Sequence, residues 1–130
     1  MDITGIHHLG LAVCNLKATS EFFVNCLGWK ITREILDYPA TFVSNGNILI
    51  TLWQTKEGAN DFDRKINVGL HHLALLVASE EELSALYKKV SRYPNIKVEF
   101  EPELLRGGSA KHCMFYDPSG IRIEFIWTPQ

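Results

Sequence analysis

Gly5-Ile6-His7-His8-Leu9-Gly10-Leu11-Ala12-Val13 opens a pattern that the chain repeats as Gly69-Leu70-His71-His72-Leu73-Ala74-Leu75-Leu76-Val77. Both stretches contain a glycine, an aliphatic residue and His-His-Leu, followed by an apolar run that ends in valine. The second copy begins near the middle of the 130-residue chain. A repeat at this spacing indicates an internal duplication, so the sequence predicts two related modules.

The residues after each copy predict the same order of elements. In the first half, an apolar strand precedes a helix that ends at a left-handed Gly28 cap, and three strands follow. In the second half, Ser79 caps a helix with Glu82 three residues further on, and three strands follow again. The repeat unit is therefore βαβββ. The predicted strands are 4–13, 29–36, 38–44 and 47–54, then 68–77, 96–100, 110–116 and 121–127.

The repeat predicts the fold class. A four-stranded sheet with a single helix leaves one face uncovered, and two such sheets can curve around a shared space. We predict an α+β fold in which two tandem βαβββ modules form a curved, partly closed mixed sheet around a shared pocket. The prediction is one domain over residues 1–130, with module 1 at about 1–55, a polar linker at about 56–67 and module 2 at about 68–130.

Composition limits the function classes. The apolar fraction of 46% and the charged fraction of 22% are typical of a globular protein. The net charge of -2 does not favour nucleic acid or an anionic membrane surface as a partner. No apolar run approaches the roughly 20 residues that span a bilayer, and the start of the chain does not read as a signal peptide. We expect a soluble cytoplasmic protein.

The cysteines predict no chemistry of their own. Cys14, Cys26 and Cys113 include no close pair, which argues against a disulfide framework and a CxxC zinc site. We expect all three to be buried small hydrophobic residues.

The double histidines and one acidic residue form the candidate site. Neighbouring residues in a strand point to opposite faces, so we expect one histidine of each pair to face the pocket. Glu124 lies in an apolar final strand, where a buried carboxylate requires a partner. Two imidazoles and one carboxylate form a ligand set that suits iron, manganese, nickel, cobalt or catalytic zinc. The sequence therefore predicts a divalent metal site.

These motifs together resemble the vicinal oxygen chelate superfamily, which includes glyoxalase I, extradiol dioxygenases, fosfomycin-resistance enzymes, methylmalonyl-CoA epimerase and bleomycin-resistance proteins. The resemblance covers nearly the whole chain. Besides the two histidine motifs, it includes Phe22-Phe23-Val24-Asn25-Cys26-Leu27-Gly28-Trp29 and Phe115-Tyr116-Asp117-Pro118-Ser119-Gly120-Ile121-Arg122-Ile123-Glu124-Phe125.

The resemblance implies which residues bind the metal. The family's ligand histidine lies five residues before the closing valine of its strand, which corresponds to His8 and His72, with Glu124 as the carboxylate ligand. His7 and His71 become their outward neighbours. Glyoxalase I has a fourth ligand in the last strand of the first module. Two alignments of the modules place either Ile50 or Thr51 there, and neither is a carboxylate. This departure disfavours glyoxalase I itself.

The other activities of the superfamily match in part. The Ile-Glu-Phe-Ile-Trp ending resembles that of an extradiol dioxygenase, but the tyrosine of that pattern falls on Met114. His112, two residues earlier, is our candidate catalytic acid or base. The polar cluster of the fosfomycin enzymes is incomplete here, although Arg106, Ser109 and Lys111 lie nearby.

We therefore predict a divalent-metal-dependent enzyme of glyoxalase or dioxygenase type. Its substrate is a small molecule that chelates the metal through adjacent oxygens. One alternative is a metal-free, ligand-sequestering protein like the bleomycin-resistance proteins. Another is a thiol transferase of the fosfomycin type. The resemblance also implies a homodimer, with the site formed either within one chain or between two.

Overall fold

The computed structural model describes residues 2–129 and contains eight strands and two α-helices within that range. The elements of the first half are β1 (Leu9–Val13), α1 (Leu16–Glu21), β2 (Lys30–Ile35), β3 (Ala40–Ser44) and β4 (Leu49–Gln54). Those of the second half are β5 (Leu73–Leu76), α2 (Glu80–Ser91), β6 (Lys97–Leu104), β7 (Lys111–Tyr116) and β8 (Arg122–Trp127). The predicted order βαβββ occurs twice, which confirms the α+β fold of two tandem modules.

Each half forms its own four-stranded mixed sheet. The strand orders are β1-β4-β3-β2 and β5-β8-β7-β6. In both sheets the first and last strands of the module pair in parallel, and the other neighbours are antiparallel. The chain divides into two compact units, Met1–Ala59 and Asn60–Gln130. The division lies inside the predicted linker, and the single-domain boundaries stay a prediction.

In the first unit, one face of the sheet packs against the helix. Alternation along β4 directs Ile50 and Leu52 to the same face, and both are fully buried. The helix α1 contacts β3 and β4 and continues into a π-helical turn, Phe22–Cys26, whose Phe22 and Phe23 are also fully buried. Gly28 follows with a positive φ of 75°, as the sequence predicts for a left-handed residue after a helix.

In the second unit, the helix α2 covers the apolar face of its sheet. Ile123 and Phe125 of β8 lie opposite Phe115 and Cys113 of β7, and all four are buried. The helix contacts β6, β7 and β8, and its apolar stripe buries Leu83 and Val90. The opposite face of this sheet therefore carries the alternate residues of β7 and β8, which include the candidate site.

Three details of the predicted elements are wrong. β1 and β5 begin at Leu9 and Leu73, so both double histidines lie in irregular backbone before the strand. β6 extends to Leu104, because register shifts along its pairing with β7 let it continue past the predicted end. Cys14 is exposed because it follows the end of β1, whereas Cys26 and Cys113 are buried as expected.

A stability prediction follows from the start of α2. The Ser79 hydroxyl oxygen accepts a hydrogen bond from the Glu82 backbone N–H at 3.1 Å, as the sequence predicts for a capping residue. Replacing Ser79 with alanine leaves that N–H without this partner, so we expect a loss of about 1 kcal/mol in the free energy of unfolding. Urea denaturation measures it. Ser84→Ala, at an exposed position inside the same helix, is the control and should lose nothing.

Among residues 2–129, no helix has the length and apolar character needed to cross a membrane.

Candidate metal centre

Glu124 lies on the face of the second sheet that α2 does not cover. The pairing register places it beside Ala74 of β5 and opposite Met114 of β7. Alternation along β8 puts Arg122 and Ile126 on the same face as Glu124. Glu124 is only 7% exposed, so a carboxylate is buried here and requires compensation.

Two histidines contact the two oxygens of this carboxylate. The Nδ1 atom of His112 is hydrogen-bonded to Glu124 Oε2. The Nε2 atom of His72 lies 3.5 Å from Glu124 Oε1. The structure thus brings together three of the predicted site residues, His72, His112 and Glu124, within the second unit.

Two contacts hold the ring of His112 in place. It lies in β7, its side chain is 12% exposed, and its ring centroid is 4.8 Å from that of Phe100 in β6. The contact with Phe100 and the hydrogen bond to Glu124 together restrict the imidazole to one orientation. Because Nδ1 is used by the carboxylate, Nε2 is the ring nitrogen left for other chemistry.

The two histidines of each pair bind each other. His7 Nδ1 and His8 Nδ1 are 2.9 Å apart, and His71 Nδ1 and His72 Nδ1 are 2.8 Å apart. The prediction that neighbouring histidines point to opposite faces is therefore wrong. The physical reason is that both pairs precede their strands, so no ladder of hydrogen bonds imposes alternation. In each pair one ring donates a proton and the other accepts it.

A charged cluster borders this site in the second unit. The Arg122 guanidinium donates through Nε and Nη2 to both oxygens of Glu99, at 2.9 and 2.8 Å. Tyr116 donates its hydroxyl proton to Glu99 at 2.7 Å, and Arg64 Nη2 lies 3.9 Å from the same carboxylate. The hydrogen bond from Arg122 is the main reason that the pKa of Glu99 falls from 4.5 to about 2.

The cluster also reaches His71. Arg122 Nη1 lies 3.4 Å from His71 Nδ1. Desolvation, followed by the positive charge of Arg122, lowers the pKa of His71 below its usual value. The lowered pKa favours the neutral imidazole, which can accept a hydrogen bond.

Neither Arg64 nor Glu99 was among the sequence candidates. Alternation along β8 places Arg122 on the same face as Glu124, so the sequence could have identified Arg122 as a neighbour of the site. The sequence could not place Glu99 in this way, because the pairing of β6 with β7 shifts register between Val98 and Phe100.

Strand pairing in the first sheet shows which residue of the first module corresponds to Glu124. Gly10 and Ala74 are equivalent in the repeat, and they pair with Thr51 and Glu124 respectively. Thr51 therefore occupies the corresponding position, and the alternative, Ile50, lies in the apolar core. Thr51 is 2% exposed, and its hydroxyl oxygen accepts a hydrogen bond from Trp53 Nε1 at 2.9 Å. The first module thus offers no carboxylate at this position.

The contacts of Glu124 and His72 fit one shared cation. Two ligand atoms that each lie about 2.1 Å from a metal are about 3.0 to 3.4 Å apart at octahedral to tetrahedral angles. The observed separation of 3.5 Å is close to that range. Within residues 2–129, however, no group of three or more histidine, cysteine or acidic side chains stands in a metal-binding arrangement. His8 belongs to the first unit, and its participation stays a prediction.

The tandem βαβββ modules, with a buried carboxylate beside a histidine on the sheet face that α2 does not cover, define a class of two-module α+β proteins. The particular family follows from comparison with known proteins. The chain belongs to the Glyoxalase/Bleomycin resistance protein/Dioxygenase superfamily, whose family model matches residues 5–125.

Individual relatives agree with this assignment. The chain is 26% identical to the uncharacterized protein YwkD of Bacillus subtilis (strain 168), over 95% of this chain and 97% of that protein. A glyoxylase/bleomycin resistance protein/dioxygenase domain from Frankia sp. EAN1pec is similar with a TM-score of 0.83 and 23% identity, over 98% of this chain and 100% of that one.

A lactoylglutathione lyase from Agrobacterium tumefaciens is also similar, with a TM-score of 0.74 and 17% identity, over 98% of this chain and 96% of that one. These two structural likenesses establish the fold alone. The superfamily includes enzymes of several kinds.

Proposed function

We propose that this protein is a divalent-metal-dependent enzyme of glyoxalase or dioxygenase type. Its substrate is a small molecule that chelates the metal through adjacent oxygens. His8, His72 and Glu124 are the proposed metal ligands. The observation that carries the proposal is the position of His72 Nε2, 3.5 Å from an oxygen of the buried Glu124 carboxylate.

Burial of Glu124 supports a cation at this point. An ionised carboxylate that is 7% exposed is costly unless positive charge or hydrogen bonds compensate it. His112 is hydrogen-bonded to one oxygen of Glu124. The other oxygen lies 3.5 Å from His72 Nε2, which is long for a hydrogen bond. A divalent cation between Oε1 and Nε2 would compensate the carboxylate and use the imidazole nitrogen as a ligand.

The number of protein ligands favours some activities over others. Thr51 holds the position of a possible fourth ligand, and its oxygen is already used by Trp53. With three ligands from the chain, a bound ion would have positions left for water and substrate oxygens. When bound, the metal would act as a Lewis acid on those oxygens. This arrangement fits a dioxygenase or fosfomycin-type pattern better than glyoxalase I.

His112 is the proposed catalytic acid or base. Its Nδ1 proton is held by Glu124 and its ring by Phe100. Nε2 is therefore the atom at which His112 would accept a substrate proton and later return it. The same hydrogen bond orients Glu124, so Oε1 points toward His72.

Metal analysis tests the proposal and separates it from the alternatives. Protein purified without chelator should contain, or take up from added iron, manganese, nickel, cobalt or zinc, about one metal ion per site. Less than about a tenth of an ion per chain, with no gain on addition, would exclude the enzyme and leave the metal-free sequestering protein. Thiol-dependent loss of fosfomycin would instead identify the thiol transferase.

Two further predictions concern the state of the protein. We propose a homodimer, and β5 supports it as an edge strand of its sheet whose Leu76 is 74% exposed. Light scattering after size-exclusion chromatography measures this directly, and a monomer at micromolar concentration would contradict it. A cytoplasmic location also stays a proposal.

A further inference from the structure

We propose that His71 is a positioning residue that fixes the proton of His72 on Nδ1, so that Nε2 of His72 is the free ligand atom. Arg122 determines the direction of this hydrogen bond. The inference rests on the proposed metal site and deepens it, because it assigns a role to the residue next to a proposed ligand.

The argument begins with Arg122, which can only donate hydrogen bonds. Its Nη1 lies 3.4 Å from His71 Nδ1, with the rest of the guanidinium fixed by Glu99. A protonated Nδ1 would direct its N–H at a cation. His71 Nδ1 therefore carries a lone pair, and the proton of this imidazole is on Nε2.

The second step concerns His72, whose Nδ1 lies 2.8 Å from that lone pair. Two lone pairs cannot make this contact, so Nδ1 of His72 carries the proton and donates it to His71. In the neutral ring, Nε2 of His72 is then unprotonated. It faces Glu124 Oε1 at 3.5 Å, and two electron-rich atoms in this arrangement favour a cation between them.

The first module has the same contact between two neighbouring histidines. His7 Nδ1 and His8 Nδ1 are 2.9 Å apart. Leu49 occupies the place that Arg122 holds in the second sheet, because Leu49 pairs with Ser44 as Arg122 pairs with Tyr116. In the second unit a cation sets the direction of the proton, whereas the corresponding position of the first unit is a leucine, which makes His71 the informative position.

The test uses the full-length chain and two substitutions. His71→Ala removes the acceptor, whereas His71→Asn offers a side-chain oxygen close to the place of Nδ1. We expect His71→Ala to weaken Zn²⁺ or Mn²⁺ binding about 10- to 100-fold, as removal of a partner behind a metal-bound histidine does. His71→Asn should restore most of it. Val68→Ala, at a fully exposed position nearby, is the control and should bind as the parent does.

A metal-free readout separates this inference from the proposed function. Long-range ¹H–¹⁵N spectra at pH 8 report which ring nitrogen carries the proton. We expect the Nδ1–H form of His72 in the parent protein and a shift toward Nε2–H in His71→Ala. An Nε2–H form in the parent, or equal metal affinity in His71→Ala, would overturn the inference. If the parent binds no metal, the proposed function fails, and the tautomer of His72 alone decides the inference.

Discussion

Glu124→Gln should reduce the affinity for a divalent cation by at least about a hundredfold. This loss is larger than the one expected when a residue that only hydrogen-bonds to a metal ligand is removed. The substitution keeps the shape of the side chain and removes the negative charge that a cation would neutralise. Glutamine can still interact with His112 through its amide group. The expected loss is therefore one of metal affinity, with the fold retained.

Competition with a chelating dye measures this affinity, and thermal unfolding shows that the variant is folded. Glu101→Gln is the matched control, because it makes the same chemical change at an exposed position of β6. Its affinity should equal that of the parent. If Glu124→Gln bound the metal as tightly as Glu101→Gln, Glu124 would not be a ligand.

Glu99→Gln should have the largest effect on stability. Glu99 accepts two hydrogen bonds from Arg122 and one from Tyr116, and it neutralises Arg122 and Arg64. Its loss leaves two guanidinium groups close together without their carboxylate. Because the Glu99 side chain is 28% exposed, solvent screens part of the effect, and we expect a loss of about 1 to 2 kcal/mol at neutral pH.

The dependence on pH identifies the cause of this loss. The folded protein lowers the pKa of Glu99 from 4.5 to about 2. The unfolded chain therefore binds a proton at higher pH than the folded chain, and the contribution is complete above pH 4.5. It decreases as the pH falls through this interval toward 2. The difference in unfolding free energy between the parent and Glu99→Gln should shrink accordingly.

Urea denaturation at neutral pH and at acidic pH measures both values. Glu101→Gln again serves as the control and should show little difference from the parent at either pH. A stability difference for Glu99→Gln that stays constant from neutral to acidic pH would show that the charge of Glu99 is not its source.

Local patterns were sufficient to predict the elements of the fold. The repeated His-His-Leu motif predicted the duplication, and the apolar final strand made Glu124 a candidate metal ligand. Gly28 and Ser79 predicted the end of one helix and the start of the other. These features depend on residues that are close in sequence, so the sequence alone is enough to predict them.

The contacts at the candidate site depended on pairing between distant segments. Strand register placed Thr51 where Glu124 lies in the second sheet, a choice that two alignments had left open. Register shifts in β6 brought Glu99 to Arg122. The amino-acid sequence by itself determined two βαβββ modules and the histidine and carboxylate residues that they carry. Only the tertiary structure decided that Arg122 reaches His71 and that His112 binds Glu124, because contacts between residues far apart in sequence depend on the pairing of strands.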